Sequence, residues 1–380
     1  MNILHITTFL QGGAGKVVLD LTKGAIEKGH SVSVACTKDS VDGYGNYPEH
    51  VLGLKHLEVP LTFLDSTFSR KYEKNLQAAT ALFEQIRQNP PDLIHSHSCI
   101  PSLVAKIAVS RVTKEIPIIQ TMHGWGIYKS AQQQVQDISI LNQVNHVVSI
   151  SKASEDLLVL KGLSNTNKSI IYNGLPAKHP SGSLLDDEHL LQIKKLKKDG
   201  KKVLGVIGTV DKRKNQTLVL EALSSLPKDL EVHAFFIGEG KDLGSYRHKA
   251  EELGLSKRVT FTGYKAGARF FVGEFDILVS ASLSEGATPL AVLEAFADKT
   301  PVLAVDTPEN KETVIDSQNG FLFKSNNSQH LSEKIHNCLV HPGNQEVVLN
   351  AQNLFKSRFT IEKTRENYLL LYGHKIATDY

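Results

Sequence analysis

Short apolar runs recur along this chain with segments of helical periodicity between them, and that alternation limits its fold more than any single motif. Residues 3–7, 31–36, 92–95, 116–121, 146–149 and 169–172 read as strands of a first series. A second series follows at 203–207, 232–237, 259–262, 277–279, 301–304 and 320–323. Strand and helix in alternation imply a mainly parallel sheet covered by helices, with ligands at the C-terminal ends of the strands. Between the series lies Pro176-Ala177-Lys178-His179-Pro180-Ser181-Gly182-Ser183, whose content suits a linker. A chain of 380 residues also fits two domains better than one. The expected fold is therefore α/β, with two Rossmann-like βαβ domains and a ligand cleft between them.

Composition removes other classes. Apolar residues make up 41% and charged residues 22%, ordinary values for a globular chain. A formal charge of +3, with both signs interspersed, leaves no basic footprint for nucleic acid. Cys36, Cys99 and Cys338 are too few and too scattered for a disulfide framework or a metal knuckle, so a reducing cytosol is expected. Met1-Asn2-Ile3-Leu4-His5-Ile6 runs straight into a strand without a charged leader. No run approaches the roughly 20 apolar residues that cross a bilayer. The expectation is a cytoplasmic protein whose membrane contact, at the inner face, would be peripheral.

The densest chemistry lies in Ser284-Glu285-Gly286-Ala287-Thr288-Pro289-Leu290-Ala291-Val292-Leu293-Glu294-Ala295-Phe296, just after an apolar strand. Leu290, Val292, Leu293 and Phe296 recur at helical spacing, with Thr288 as the expected cap and Pro289 as the first helical residue. The loop Gly286 to Thr288 would then face a helix N-terminus, where free amides favour a phosphate or an acidic group. Glu285 before the first turn and Glu294 in the second could accept hydroxyl hydrogen bonds. One glutamate alone would read as a solvated helix face; the pair with its glycine loop reads as a nucleotide-sugar seat.

This pattern resembles the retaining family-four glycosyltransferases (group 1, GT-B type), whose hallmark is a Ser-Glu-Gly loop and a second glutamate within the following helix. Eight residues separate Glu285 from Glu294, one more than the family's usual spacing. An extra helical residue would rotate the face by about 100°, so the insertion is placed at Gly286-Ala287 and Glu294 kept aligned. The resemblance implies that Glu294 holds the ribose, while Glu285 and the amides of Gly286, Ala287 and Thr288 orient the sugar. It also implies a final helix crossing back onto the first domain. The expected boundaries are 1–175 for the first domain, 176–202 for the linker, 203–358 for the nucleotide-sugar domain and 359–380 for the returning helix.

Four further segments join the same picture. Gln11-Gly12-Gly13-Ala14-Gly15-Lys16 follows the first strand and precedes the run Val17, Val18, Leu19, Leu21. It is neither a P-loop, since Leu10 and Val17 stand where glycine and a hydroxyl belong, nor a dinucleotide fingerprint, since Val18 stands where the third glycine falls. A plain strand-to-helix turn accounts for it equally well; the resemblance gives Gly13 and Gly15 to the acceptor and donor diphosphate. Gly208-Thr209-Val210-Asp211-Lys212-Arg213-Lys214 leaves the first strand of the second series with three consecutive cations. Such a run is often a solvated loop; by resemblance Lys214 neutralises the leaving diphosphate, and because Thr209 stands where the family carries arginine, either Arg213 or Lys212 supplies the second charge or the diphosphate is held more weakly. Gly238-Glu239-Gly240 resembles the family's glycine turn, and Tyr264 the segment bordering the base. Thr121-Met122-His123-Gly124 resembles a His-Gly turn near the transferred sugar, although a lone histidine is commonly structural.

His95-Ser96-His97 could suggest a metal pair, but no cysteine or carboxylate stands near it in sequence. Neither a metal nor another cofactor is expected, and the nucleoside diphosphate sugar enters as substrate. The lysines at 194, 195, 197, 198, 201 and 202 read as the wet face of a helix rather than a membrane patch. The expected partners are a nucleotide-sugar donor and a glycan or glycolipid acceptor, with Glu285, Lys214 and His123 as the catalytic set. An epimerase of the same architecture and a non-catalytic sugar-nucleotide module remain open at this level. Acceptor choice is expected in the loops 44–51 and 63–74, and a surface-polysaccharide role follows from the family's habits.

Overall fold

The computed structural model describes residues 1–8, 10–38, 45–65, 70–126, 129–178, 186–341 and 344–377. Tyr44 and residues 66–69 of the acceptor loops, 179–185 of the linker and 378–380 of the last segment lie outside them. The chain divides into two compact units, Met1–Asn173 with Ile361–Tyr380, and Gly174–Thr360.

The first unit alternates β1 (Asn2–Thr7), α1 (Gly12–Glu27), β2 (Ser31–Thr37), α2 (Tyr47–His56), β3 (Leu61–Leu64), α3 (Tyr72–Gln88), β4 (Leu93–Ser96), α4 (Cys99–Val109), β5 (Ile118–Met122), α5 (Ala131–Leu141), β6 (His146–Ser149), α6 (Lys152–Leu160) and β7 (Lys168–Ile170). Its seven strands lie in the order β3-β2-β1-β4-β5-β6-β7, with parallel ladders throughout. Strands β4, β5 and β6 are buried along their whole length, as helices on both faces require. β3 was not expected. It is a four-residue edge strand behind Pro60 with Phe63 44% exposed, so it lacks the continuous apolar run that marks its neighbours.

The second unit opens with α7 (Glu188–Lys198) and continues through β8 (Lys202–Ile207), α8 (Gln216–Ser224), β9 (Val232–Ile237), α9 (Leu243–Glu252), β10 (Val259–Gly263), α10 (Arg269–Val272), β11 (Ile277–Ser280), α11 (Leu290–Asp298), β12 (Val302–Val305), α12 (Pro308–Lys311), β13 (Phe321–Phe323), α13 (Ser328–Val340) and α14 (Asn344–Arg358). Its six strands run in the order β10-β9-β8-β11-β12-β13, again parallel. Leu204, Val206, Phe236, Ile277, Val279 and Leu303 carry the sheet's share of one buried core.

The stretch expected to be a linker belongs largely to this unit. Asp187 caps α7 through the amides of His189 and Leu190 and pairs with Lys265 at 2.8 Å. Leu190 and Ile193 are buried beneath α7, while Lys194, Lys195, Lys197 and Lys198 face water. Upstream, Arg269 grips Asp298 with two hydrogen bonds and donates to the Pro176 carbonyl at 2.6 Å. A polar, lysine-rich sequence hides this because two buried apolar residues suffice to dock so short a helix.

Leu175 and Thr360 form a bridge that closes the second unit. The chain then enters α15 (Ile361–Ala377), which packs on α1 in the first unit. Tyr368 and Tyr372 are buried there with Ile3, Leu93, Ile119 and Val148.

Candidate active site

In each sheet the strand order reverses between two neighbours, β1 and β4 in the first unit and β8 and β11 in the second. Loops leaving such a pair diverge to opposite faces and leave a crevice at the strand ends. The basic loop follows β8 and the Glu285 loop follows β11, so topology brings together segments that sequence separates.

The second-unit loops are locked to one another. Asp211 accepts from the Lys214 amide at 3.0 Å and caps a short 3-10 turn over Lys212–Lys214. Asn215 then takes a left-handed conformation, φ 52°, that turns the chain into α8. Across the gap the Leu283 amide donates to the Arg213 carbonyl at 2.8 Å, and Arg213 Nη1 donates to the Ser284 carbonyl at 3.2 Å. Glu285 Oε1 receives the Lys214 ammonium, Arg213 Nη1 at 3.1 Å and the Ser282 hydroxyl at 2.5 Å. The three charged side chains are 17–26% exposed, so solvent screens their attraction only in part. Burial alone would raise the Glu285 carboxyl, but Lys214, Arg213 and the Ser282 hydroxyl outweigh it and hold it below the usual carboxylate range. The carboxylate is ionised at neutral pH between two fixed cations.

The glycine turns beside this cluster are required by close backbone approach. Gly208 and Gly238 sit at φ 145° and 144°, and a Cβ on Gly238 would lie 2.0 Å from the Gly208 carbonyl oxygen. A Cβ on Gly240 would lie 2.1 Å from the Val210 carbonyl oxygen. The Gly208 and Val210 amides donate to Ile237 and Glu239 at 3.0 and 2.8 Å, continuing the sheet into the loop. The Lys214 stem passes over Gly208, 3.3 Å from where a Cβ would stand. Thr209, beside it, is partly exposed, and its carbonyl accepts from Gln216 at 3.4 Å. Tyr264 follows Gly263 at the end of β10 and is partly exposed.

The expected cap of α11 differs in the structure. Pro289, φ −55° and ψ 141°, is the flanking residue and the helix begins at Leu290. The Thr288 hydroxyl donates instead to the Glu309 carbonyl at 3.0 Å, tying the loop to α12. Proline's ring fixes φ but tolerates extended ψ, so it serves as the half-in residue and leaves threonine free to bond elsewhere. Gly286 and Ala287 are partly exposed in the loop, and Glu294 is partly exposed in the second turn of α11.

In the first unit the helix starts earlier than the apolar run suggested, at Gly12, which puts the glycines inside its first turn. Gly12 has φ 61° and donates its amide to Asn46 Oδ1 at 2.8 Å. Gly13 is exposed there, whereas Gly15 is buried so closely that a Cβ would stand 2.4 Å from the Leu10 carbonyl carbon. His123 follows β5, partly exposed, and its Nε2 meets His97 Nδ1 at 3.0 Å. The pair His95 and His97 gains His5 from β1, and the three offer ligand atoms within 4.8 Å of one another. Both His95 nitrogens are already engaged, by Tyr372 Oη and Thr121 Oγ1, each at 2.7 Å.

Sequence reasoning missed Ser282, Asp211 and the partners of His123. Asp211 was findable as a capping residue ahead of a short turn. Ser282 reaches Glu285 within the same loop, three residues on, while His97 meets His123 across the sheet, where sequence carries no direct signal.

Residues 11–179 match the family model described as Glycosyltransferase Family 4, and residues 188–352 match Glycosyl transferases group 1. The chain belongs to these glycosyltransferases. Among its relatives, the putative glycosyltransferase EpsD of Bacillus subtilis is 24% identical over 75% of this chain and 78% of that protein. An Escherichia coli UDP-Gal:alpha-D-GlcNAc-diphosphoundecaprenol alpha-1,3-galactosyltransferase is 21% identical over 79% of each. HepE of Anabaena, solved in complex with UDP-glucose, superposes with a TM-score of 0.83 at 20% identity, covering 100% of both chains. The two parallel-sheet units thus match the fold of GT-B glycosyltransferases. Among the described residues no helix is long and apolar enough to cross a membrane.

Proposed function

We propose that this glycosyltransferase moves a sugar from a nucleoside diphosphate donor to an acceptor hydroxyl with retention of anomeric configuration, in the synthesis of a surface polysaccharide or related glycan. One observation carries the reading: Lys214 and Arg213 converge with Glu285 at the strand ends where the second sheet reverses its order. Preorganised cations at that place are suited to the charge that grows on a departing diphosphate. The bond from the anomeric carbon to the diphosphate breaks, the acceptor oxygen bonds to the same face, and its proton passes to the departing phosphate oxygen. Glu285 and the Gly286 to Thr288 backbone orient the sugar, Glu294 holds the ribose, and Gly238, Gly240 and Tyr264 border the nucleotide. In the first unit the family resemblance gives His123 to the sugar and Gly13 and Gly15 to the diphosphate and acceptor side. No metal or further cofactor takes part in this scheme, and the enzyme acts in the cytoplasm on a glycan or glycolipid. The donor named for the Escherichia coli relative supports a uridine diphosphate sugar as the first class to test.

Proton NMR of the first product formed from an α-linked donor decides the stereochemistry. An α-glycoside is expected; a β-glycoside would overturn retention, and an epimerised nucleotide sugar without glycoside would overturn transfer itself.

A further inference from the structure

A chain of imidazoles runs from β1 past the end of β4 to the loop after β5 in the first sheet. His5 and His95 are register partners on β1 and β4, which places their side chains on one face. His97 follows at the end of β4, and its two nitrogens are both used. Nε2 meets His5 Nδ1 at 2.9 Å, and Nδ1 meets His123 Nε2 at 3.0 Å. Burial holds these rings neutral, His5 pushed down to about 3, His123 to about 4 and His97 well below its usual value. A neutral imidazole has one donor nitrogen and one acceptor nitrogen, so fixing the proton on one ring fixes it on all.

The direction is set at the far end. His5 Nε2 is buried without a hydrogen-bond partner among the described residues. If the protons ran toward His5, that nitrogen would carry a stranded N–H, the rarer and costlier kind of orphan; run the other way, it is only an unused lone pair. The protons therefore sit on His5 Nδ1 and His97 Nδ1, and His123 Nε2 accepts. His123 keeps its own proton on Nδ1, which no described residue pairs with and which lies on a partly exposed ring.

We propose that His97, oriented by His5, is a positioning residue that fixes His123 as the Nδ1–H tautomer, so that this ring meets a ligand as a hydrogen-bond donor. The matching chemistry is an oxygen acceptor such as a sugar hydroxyl or acyl carbonyl. Only the naming of that ligand rests on the glycosyl-transfer reading. The same three imidazoles do not read as a metal site in this state, because a cation would have to take nitrogens from the chain and from Tyr372 or Thr121.

The test is the two-bond proton–nitrogen correlation spectrum of the full-length protein with labelled histidine at neutral pH, the His123 signals assigned by their loss in His123→Gln. The Nδ1–H form is expected to exceed the other by about tenfold or more. His97→Asn places an amide N–H where Nδ1 stood and should keep that tautomer. His97→Leu removes the donor and should shift His123 toward Nε2–H. Protonation of His123 on Nε2 in the unmodified protein, or an unchanged tautomer in His97→Leu, would overturn the proposal. The unmodified spectrum decides even where a variant does not fold. No donor enters the measurement, so its failure and that of the proposed transfer reaction are separate results.

Discussion

A single carboxylate holds the second-unit site together. Glu285 accepts from Ser282, Arg213 and Lys214, joining loops whose residues are up to 72 positions apart. Lys214→Ala should therefore remain folded and lose about 10²–10³-fold in turnover, the usual loss for one preorganised contact to developing charge; steady-state kinetics on the folded variant measure it. Glu285→Gln takes the paired carboxylate from Lys214 and leaves Arg213 with Asp211 at 3.8 Å, and since the same cations are assigned to the diphosphate, affinity for the bare nucleotide should change along with transfer. Its effect on stability has a defined pH sense. The folded carboxyl lies below its unfolded value of about 4.3, so the contribution is fully present above that value and fades as pH falls toward and through the lowered folded one. Urea midpoints of Glu285→Gln and the unmodified protein should differ at pH 6, and the difference should shrink as pH falls below about 4.3. Lys214 and Glu285 were legible one by one as members of motifs. Their pairing was not, because it is set by which strands are neighbours, and neither was the turning away of Thr288 to Glu309.

At the scale of elements, the turns after β8 and β9 are the firmest constraint. Gly238→Ala would force a side chain into the Gly208 carbonyl at a left-handed φ, so a marked loss of thermal stability is expected. Gly373 is the contrast: it lies inside α15 with nothing within 4 Å of its missing Cβ. Gly373→Ala should leave stability unchanged or raise it by up to about 1 kcal/mol. Differential scanning calorimetry of the two variants checks both directions at once. Buried strands were readable from their apolar runs because helices cover both faces, and β6 and β9 were located residue for residue. The edge strand β3 was not, since a half-wet strand of four residues has no such run. The docking of α7 was also hidden, because Leu190 and Ile193 are outnumbered by surface lysines.

For the molecule as a whole, four neutral imidazoles at His5, His95, His97 and His123 link acid stability to the first sheet. Each folded value is depressed, so the unfolded chain binds more protons and stability is lost as pH falls below about 6.5. Each group can add a slope of about 1.4 kcal/mol per pH unit until its own folded value is reached. Denaturation midpoints should thus fall steadily from pH 7 to pH 5, and a flat profile would show that these rings are solvated. The central claim is that the Lys214 and Arg213 loop receives a nucleoside diphosphate. Calorimetric titration of UDP, GDP and ADP into the unmodified protein and Lys214→Ala tests it most directly. At least one nucleotide should bind the unmodified protein and lose about 10–150-fold in affinity on substitution, the worth of a hydrogen bond to a charged group. Binding of none of the three, or equal binding by the folded Lys214→Ala variant, would contradict the account.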